Sequence, residues 1–444
     1  MPFYNVEEYY EQEINPQDIS FLIWYFLNTV QEDMFISPYN QFIEATAEII
    51  YDIFDEAWEF VPENEYLKKF YQIDNDENNF YTARNLIDTV LFQTYLFYPD
   101  SFLKLQDEEI EIINNSNAEQ DTLAILNENR DIMLHKTHTR LLALSGKEWA
   151  AEILSSNRTL NKDFLSISQK IQGLFLYKGQ DENNIFIEHI ASGKKFNLTK
   201  QSFDYSQELK ELDTILYIGI VKWKDEWWFS GVFFQQPFNQ DIILDEKKSF
   251  NSRLAVNFLD HQEHETDKNL KNELSVFKDF NRGSQIAFLT SDRIEKFIRE
   301  FIAFSNKALN ISKEKIKKAE QRAKNEGFLE KNDTHEDFSE IADTGLVFFN
   351  PNSGSEIALG VNSAFPMSSN PYFNEEESED HIMHLLIDDS YSKELVNYCI
   401  DNCKTKLSFF TKGAGKKYLE DMDFLLRFWK KSNYHTVPSL TYIG

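Results

Sequence analysis

Ile215-Leu-Tyr-Ile-Gly-Ile-Val-Lys-Trp-Lys-Asp-Glu-Trp-Trp-Phe-Ser-Gly-Val-Phe-Phe234 is the stretch on which the fold turns. Branched and aromatic residues fill two runs, Ile215–Trp223 and Trp227–Phe234, with only Lys224-Asp-Glu226 between them. Such residues suit the pleated surface of a strand, and a short polar break between two runs predicts a tight hairpin. Outward from it, the same rhythm of about two recurs in Ile171–Tyr177, Ile185–Ile190 and Lys194–Leu198. The connections Lys178-Gly-Gln-Asp-Glu-Asn-Asn184 and Ala191-Ser-Gly193 carry Gly and Asn, which tolerate positive φ. Residues 165–237 are therefore expected to form a small antiparallel barrel or strongly curved sheet, SH3-like or OB-like.

Upstream, the period lengthens to three or four, and residues 1–158 read as an acidic all-helical domain. Asn15-Pro16 and Ser37-Pro38 each set a capping side chain before a proline suited to a first helical turn. After Ser37, apolar positions at Phe42, Ala45, Ile49, Ile50, Ile53, Phe54, Ala57 and Trp58 predict a helix with one broad buried face, ended by Pro62. Helical spacing returns in Tyr81–Tyr98, closed by Pro99, and in Thr122–Leu144, where His135 and His138 could share a face.

Downstream, 238–280 reads as a charged connector, polar and aperiodic at His261–Lys268. Residues 281–444 read as an α+β domain. Its expected strands are Ile286–Leu289, the hairpin Leu346–Phe349 and Glu356–Leu359 around Pro351-Asn-Ser-Gly354, His381–Asp388, and Leu407–Phe410. Its expected helices are Arg293–Leu309 behind a capping-box-like Asp292 and Glu295, Ser312–Glu326 ended by Gly327, Lys393–Cys403 and Lys416–Lys431. The fold class is multi-domain α+β.

Composition narrows the function classes. The chain has 444 residues, more than one core usually serves, with 42% hydrophobic and 27% charged residues, an ordinary globular balance. Its longest apolar run, Phe21–Leu27, is far too short to span a bilayer, and Met1–Glu8 lacks a signal-peptide pattern. Cys399 and Cys403 suit neither a disulfide framework nor a zinc knuckle, so a reducing cytoplasm is expected. The net charge is −29, and residues 1–130 hold 27 Asp/Glu against 5 Lys/Arg. That field repels nucleic acid and anionic lipid. It serves either as a solvated face or as a dock for a basic partner.

Several groups of residues are candidate sites. Trp223, Trp227 and Trp228, with Lys222 and Lys224 beside them, crowd one hairpin. Trp227 and Trp228 must point opposite ways, so one of them is a candidate exposed ring that could stack a base or bind a protein. The long loop Gly360–Asn374 offers Asn362, Phe365 and Asn370. Lys412-Gly-Ala-Gly-Lys-Lys417, read as following an apolar strand and opening a helix, makes Lys412, Gly413, Gly415 and Lys416 candidates for a weak anion site. It is no phosphate loop, because Lys417 stands where the magnesium-binding hydroxyl belongs. His381, His384 and Asp388 would converge on a metal only from a helix, and the expected strand splits them. The helix from Ser312 to Lys324 has six positive and two negative side chains.

No motif names a reaction and no cofactor is indicated. The leading expectation is a non-catalytic cytoplasmic adaptor or regulatory protein with a protein partner and no membrane association. The alternatives are nucleic-acid binding through the barrel aromatics and the basic helix, and a metal-dependent hydrolase.

Overall fold

The computed structural model describes residues 1–10, 13–31, 35–57, 64–116, 121–249, 252–253, 256, 263–325 and 338–436. The chain divides into two compact units, Met1–His189 with Lys195–Phe238, and Asn239–Gly444 with Ile190–Lys194. The helices before position 158 and the barrel strands thus share one unit.

In the first unit, α1 (Pro16–Val30) buries Trp24 and Tyr25 completely. Asn15 does not cap it: its side chain takes the Tyr10 N–H and donates to the Tyr10 and Glu13 carbonyls. A turn follows Pro38, and α2 (Gln41–Ala57) starts behind Asn40, whose side chain accepts from the Phe42 N–H. The face of α2 expected to be buried points outward. Phe42, Ile49 and Ile53 are 66%, 64% and 59% exposed, whereas the narrow strip of Ile43 and Ala47 is buried. α2 packs on α1, and Ile43 and Ala47 are its buried positions. Trp58 and Pro62 lie outside the described residues.

Next come α3 (Glu65–Lys69) and α4 (Phe80–Asp88). Beyond Asp88 the backbone runs through a π turn Thr89–Gln93, a 3-10 turn Tyr95–Phe97 and a second π turn Tyr98–Phe102 into α5 (Leu103–Asn115). Pro99 opens a helical turn rather than closing a helix, because its missing N–H costs nothing in a first turn. α6 (Thr122–Lys136) ends before His138, which bridges to Ser145, so His135 and His138 share no helical face. A capping box of Ser145 and Glu148 starts α7 (Gly146–Ile153), and α8 (Arg158–Leu165) leads into the barrel.

Five strands close this barrel: β1 (Ile171–Gln180), β2 (Asn184–His189), β3 (Lys195–Thr199), β4 (Ile215–Trp223) and β5 (Glu226–Gln236), in the order β1-β2-β3-β5-β4. All pairings are antiparallel except β3 with β5. The register places Ile171, Phe175, Ile187, Phe196, Ile218 and Ile220 on the inner face, all buried. The Lys224-Asp225 turn works because Lys224 adopts φ of 52°. The opposite faces of β4 and β5 are also buried at Val221, Trp223, Trp228 and Ser230, so these strands are apolar on both sides.

The second unit begins with α9 (Gln240–Glu246) and α10 (Glu263–Phe280). Residues 263–280, expected within a connector, thus form a helix that buries Leu270 and Phe277. Its sheet has the order β6 (Ile286–Thr290), β7 (Thr344–Asn350), β8 (Gly354–Leu359), all antiparallel. On one face Val347 and Phe349 join Phe277 of α10 and Ile294 and Phe301 of α11 (Ile294–Ala308). A 3-10 turn Ser291–Arg293, not a side-chain cap, precedes α11. α12 (Lys313–Asn325) is the basic helix, and Gly327 lies outside the described residues.

Three expectations fail in the last third. The expected strand His381–Asp388 is instead helical through Ile387, within α13 (Ser378–Ile387), because Glu379 and Asp380 in the first turn favour a helix that a short apolar run alone leaves open. α14 (Lys393–Cys403) forms as expected and brings Tyr398 within 5.3 Å of Phe348, covering the sheet's other face. Leu407–Phe410 is not a strand but leads into the short helix α15 (Ser408–Thr411). The expected Lys416–Lys431 helix is broken into α16 (Gly415–Tyr418), a 3-10 turn Leu419–Asp421 and α17 (Met422–Lys430).

Inside the barrel, fully buried His189 packs edge-on to Phe175 at 5.1 Å, and Gly173 leaves room for its ring. Burial pulls its pKa down to about 4. Between pH 6.5 and 4 the unfolded chain takes up a proton that the folded barrel refuses, so stability is full above 6.5 and falls on acidification. At pH 5 the loss at this site is about 2 kcal/mol relative to pH 7.5. Urea unfolding of wild type and His189→Leu at both pH values tests this, since the variant should lose much of the difference.

Candidate functional site

The densest polar chemistry lies where the helices of the first unit meet the barrel. Asp131 of α6 is fully buried, with Arg84 Nε of α4 and Lys170 Nζ before β1 each at 2.7 Å and Ser230 Oγ of β5 at 2.9 Å. Lys170 also pairs with Glu128, one helical turn earlier on α6. Glu128 accepts from Gln172 at 2.6 Å and from the Val232 N–H at 2.8 Å. Beside this cluster Arg130 makes a two-pronged pair with Asp88 at 2.7 and 2.9 Å, so α4 and α6 exchange two crossed ion pairs. Burial alone would raise the Asp131 carboxyl, but Lys170 and Arg84 outweigh it and bring the pKa down to about 2.

Local backbone makes this possible. The β4–β5 register shifts between Tyr217 and Gly219, and Gly231 sits at φ 95°, a β-bulge that frees the Val232 N–H for Glu128. A Cβ at Gly219 or Gly231 would collide with Lys170 or Glu128.

His135 Nε2 lies 3.4 Å from Ser230 Oγ, so Ser, His and Asp stand together. They do not form a hydrolytic triad, in which the carboxylate orients the imidazole. Here the Ser230 hydroxyl donates its hydrogen bond to Asp131 itself, and Ser230 is sealed from solvent. Burial lowers the His135 pKa to about 4. The grouping holds helices to barrel.

The barrel hairpin is occupied from within. Trp223 donates from Nε1 to the Asn78 carbonyl at 3.0 Å and meets Phe164 edge-on. Trp228 is buried against Phe80 and Tyr81. Lys224 donates to the Glu77 carbonyl and Asn78 Oδ1, and Lys222 pairs across the ladder with Trp227. Of these three tryptophans only Trp227 is part-exposed, packed on Phe196 at 4.9 Å, and Lys222 and Lys224 are part-exposed beside it. As an outward ring-lined surface, Trp223 and Trp228 are corrected, because helices cover the strand face that carries them.

The loop candidates are corrected likewise. Asn362, Phe365 and Asn370 are buried. Asn362 donates to the Gly345 carbonyl, and Asn370 to those of Asn362 and Phe365, so these amides hold the loop's shape. The helix under His381 and His384 does not make them converge. His381 Nδ1 accepts from the Ser363 N–H at 3.0 Å, and His384 Nε2 meets Asp388 at 3.0 Å. Among the described residues no group of three or more His, Cys, Asp or Glu is placed to hold a metal. Lys412 and Gly413 are exposed and Lys416 follows them, but Gly415 is buried against the Phe409 ring and the helix it opens has four residues. Cys399 and Cys403 are free and buried.

The outward strip of α2 is what sequence reading placed on the wrong side. Its signal was present: apolar residues on α2 span two strips, Ile43 with Ala47 and Phe42 with Ile49 and Ile53, more than one neighbour can cover. α2 also carries Glu44, Glu48, Asp52, Asp55 and Glu56 and no Lys or Arg.

A family model described as "Protein of unknown function (DUF3843)" matches residues 1–192. That span takes in α1–α8 and the first barrel hairpin and stops before β3. No curated protein and no solved structure matches the chain. No helix among the described residues is long and apolar enough to cross a membrane.

Lys170→Met strands Asp131 and Glu128 without their shared cation and is expected to cost about 3–5 kcal/mol. Lys178→Met, which breaks a partly exposed pair with Asp213, should cost under about 1 kcal/mol. Urea unfolding compares the two, and equal losses would contradict the assigned role of the buried cluster.

Proposed function

We propose that this chain is a non-catalytic adaptor or regulatory protein that binds another protein through the outward apolar strip of α2. One observation carries the reading: a helix whose large apolar residues face solvent while a small strip secures it to its own fold. Contiguous exposed apolar surface on a folded unit marks an interaction site more often than chance placement does. The non-catalytic part is supported by the way Ser230, His135 and Asp131 are consumed in structural bonds. The nucleic-acid alternative keeps the exposed lysines of α12 but loses Trp223 and Trp228 as stacking rings. The metal-hydrolase alternative loses the convergence of His381 and His384.

The test uses tagged full-length chain expressed in its native cells. A protein co-purifying with wild type and with Trp227→Ala should be lost with Ile49→Ser/Ile53→Ser, whose far-UV circular dichroism should match wild type. Recovery of the same partners by all three proteins would reject the assignment to α2.

A further inference from the structure

We infer that the segment docking on α2 is a cationic amphipathic helix. This rests on the proposed role of α2 as a binding surface and adds the chemistry of the partner.

The strip itself sets the first condition. Phe42, Ala45, Ile49 and Ile53 follow one another at three- and four-residue steps, and all are exposed. Glu44, Glu48, Asp52 and Asp55, also exposed and spaced at three or four, form a neighbouring row. A helix surface has no unpaired backbone donors or acceptors along its length, so an added β-strand would gain no ladder there and would leave its own groups unpaired. A partner helix satisfies its backbone internally and offers apolar side chains at the same spacing, so ridge can enter groove.

Charge sets the second. Two copies of α2 face to face would bring together two rows of carboxylates with no basic side chain on either helix to relieve them. Residues 1–130, with 27 Asp/Glu against 5 Lys/Arg, repel anionic lipid and nucleic acid alike. Lysines or arginines flanking the partner's apolar stripe would instead meet the acidic row, speeding encounter and fixing orientation.

The test measures binding of the full-length chain to labelled synthetic peptides by fluorescence anisotropy. The first is a Leu/Lys helix with its leucines on one face. The second has the same composition with the leucines scattered, the third is a Leu/Gln amphipathic helix, and the fourth is its Leu/Glu counterpart. The first should bind at least tenfold tighter than the other three and weaken with salt. Ile49→Ser/Ile53→Ser should weaken it at least tenfold, and Glu48→Gln/Asp52→Asn should weaken it and flatten the salt dependence. If the Leu/Gln or Leu/Glu helix binds as tightly as Leu/Lys and all lose affinity in Ile49→Ser/Ile53→Ser, the binding face stands and the cationic partner is wrong. If no peptide responds to those serines, both ideas fail. If light scattering finds a dimer that the serine pair dissolves, the occupant is a second copy and the inference is overturned.

Discussion

The first unit depends on Asp131 and Lys170 being buried together. Taking isolated charges out of water costs several kcal/mol each, so they persist only where partners surround them. Asp131 has Arg84, Lys170 and Ser230, while Glu128 has Lys170, Gln172 and the Val232 N–H. The charges balance within the cluster, two against two, and no element contributes them all. α4, α6, the residue before β1 and the bulged middle of β5 must all be in place before every one of these groups is satisfied. Such a brace contributes less to net stability than to uniqueness, since a helix shifted by one turn would strand a carboxylate.

That arrangement decides which surfaces remain. With the brace holding helices over β4 and β5, the hairpin is walled in: Trp223 is tied to Asn78, Lys224 to Glu77 and Asn78, and Trp228 to the rings of α4. The aromatic wealth of the barrel goes into its own fold. α2 follows α1 in the chain, and among the described residues no such partner covers Phe42, Ile49 and Ile53, which are exposed. Burying one such side chain is worth about 1.5–3 kcal/mol. Three or four of them can support an association, and the adjoining carboxylates bias which partner associates.

The barrel strands were the most legible part of the chain. Ile215–Trp223 has the bounds expected from its residues, and all five strand-like runs of the barrel are strands. Short-range chemistry settles such elements: branched and aromatic residues, then a polar turn. What could not be read was the second neighbour of each strand. Alternation showed that Trp227 and Trp228 oppose each other, but not that Trp227 packs on Phe196 while Trp228 lies under α4. The same limit explains α2, where helical spacing identified an apolar face correctly and burial was assumed to follow. His381–Asp388 failed for a nearer reason, because the seven residues of Ile, Met, His and Leu at 381–387 carry no period that separates strand from helix.

The second unit also buries a cation, here at the end of a helix. Lys430 is fully buried, and its ammonium donates to the carbonyls of Leu385 at 3.1 Å and Asp388 at 2.8 Å, where α13 ends. Carbonyls at a helix C-terminus lack intrahelical donors and carry partial negative charge, so a cation both satisfies and neutralises them. Burial still tells, lowering the Lys430 pKa to about 8 despite Asp389, Glu356 and Asp388 nearby. α13 is thereby fastened at its last turn by Lys430 and near its first by His381, which takes the Ser363 N–H of the long loop. The loop is thus pinned at Asn362, Ser363 and Asn370 against a helix fastened near both ends, so the polar side chains that its length offered to a ligand are spent on its own shape.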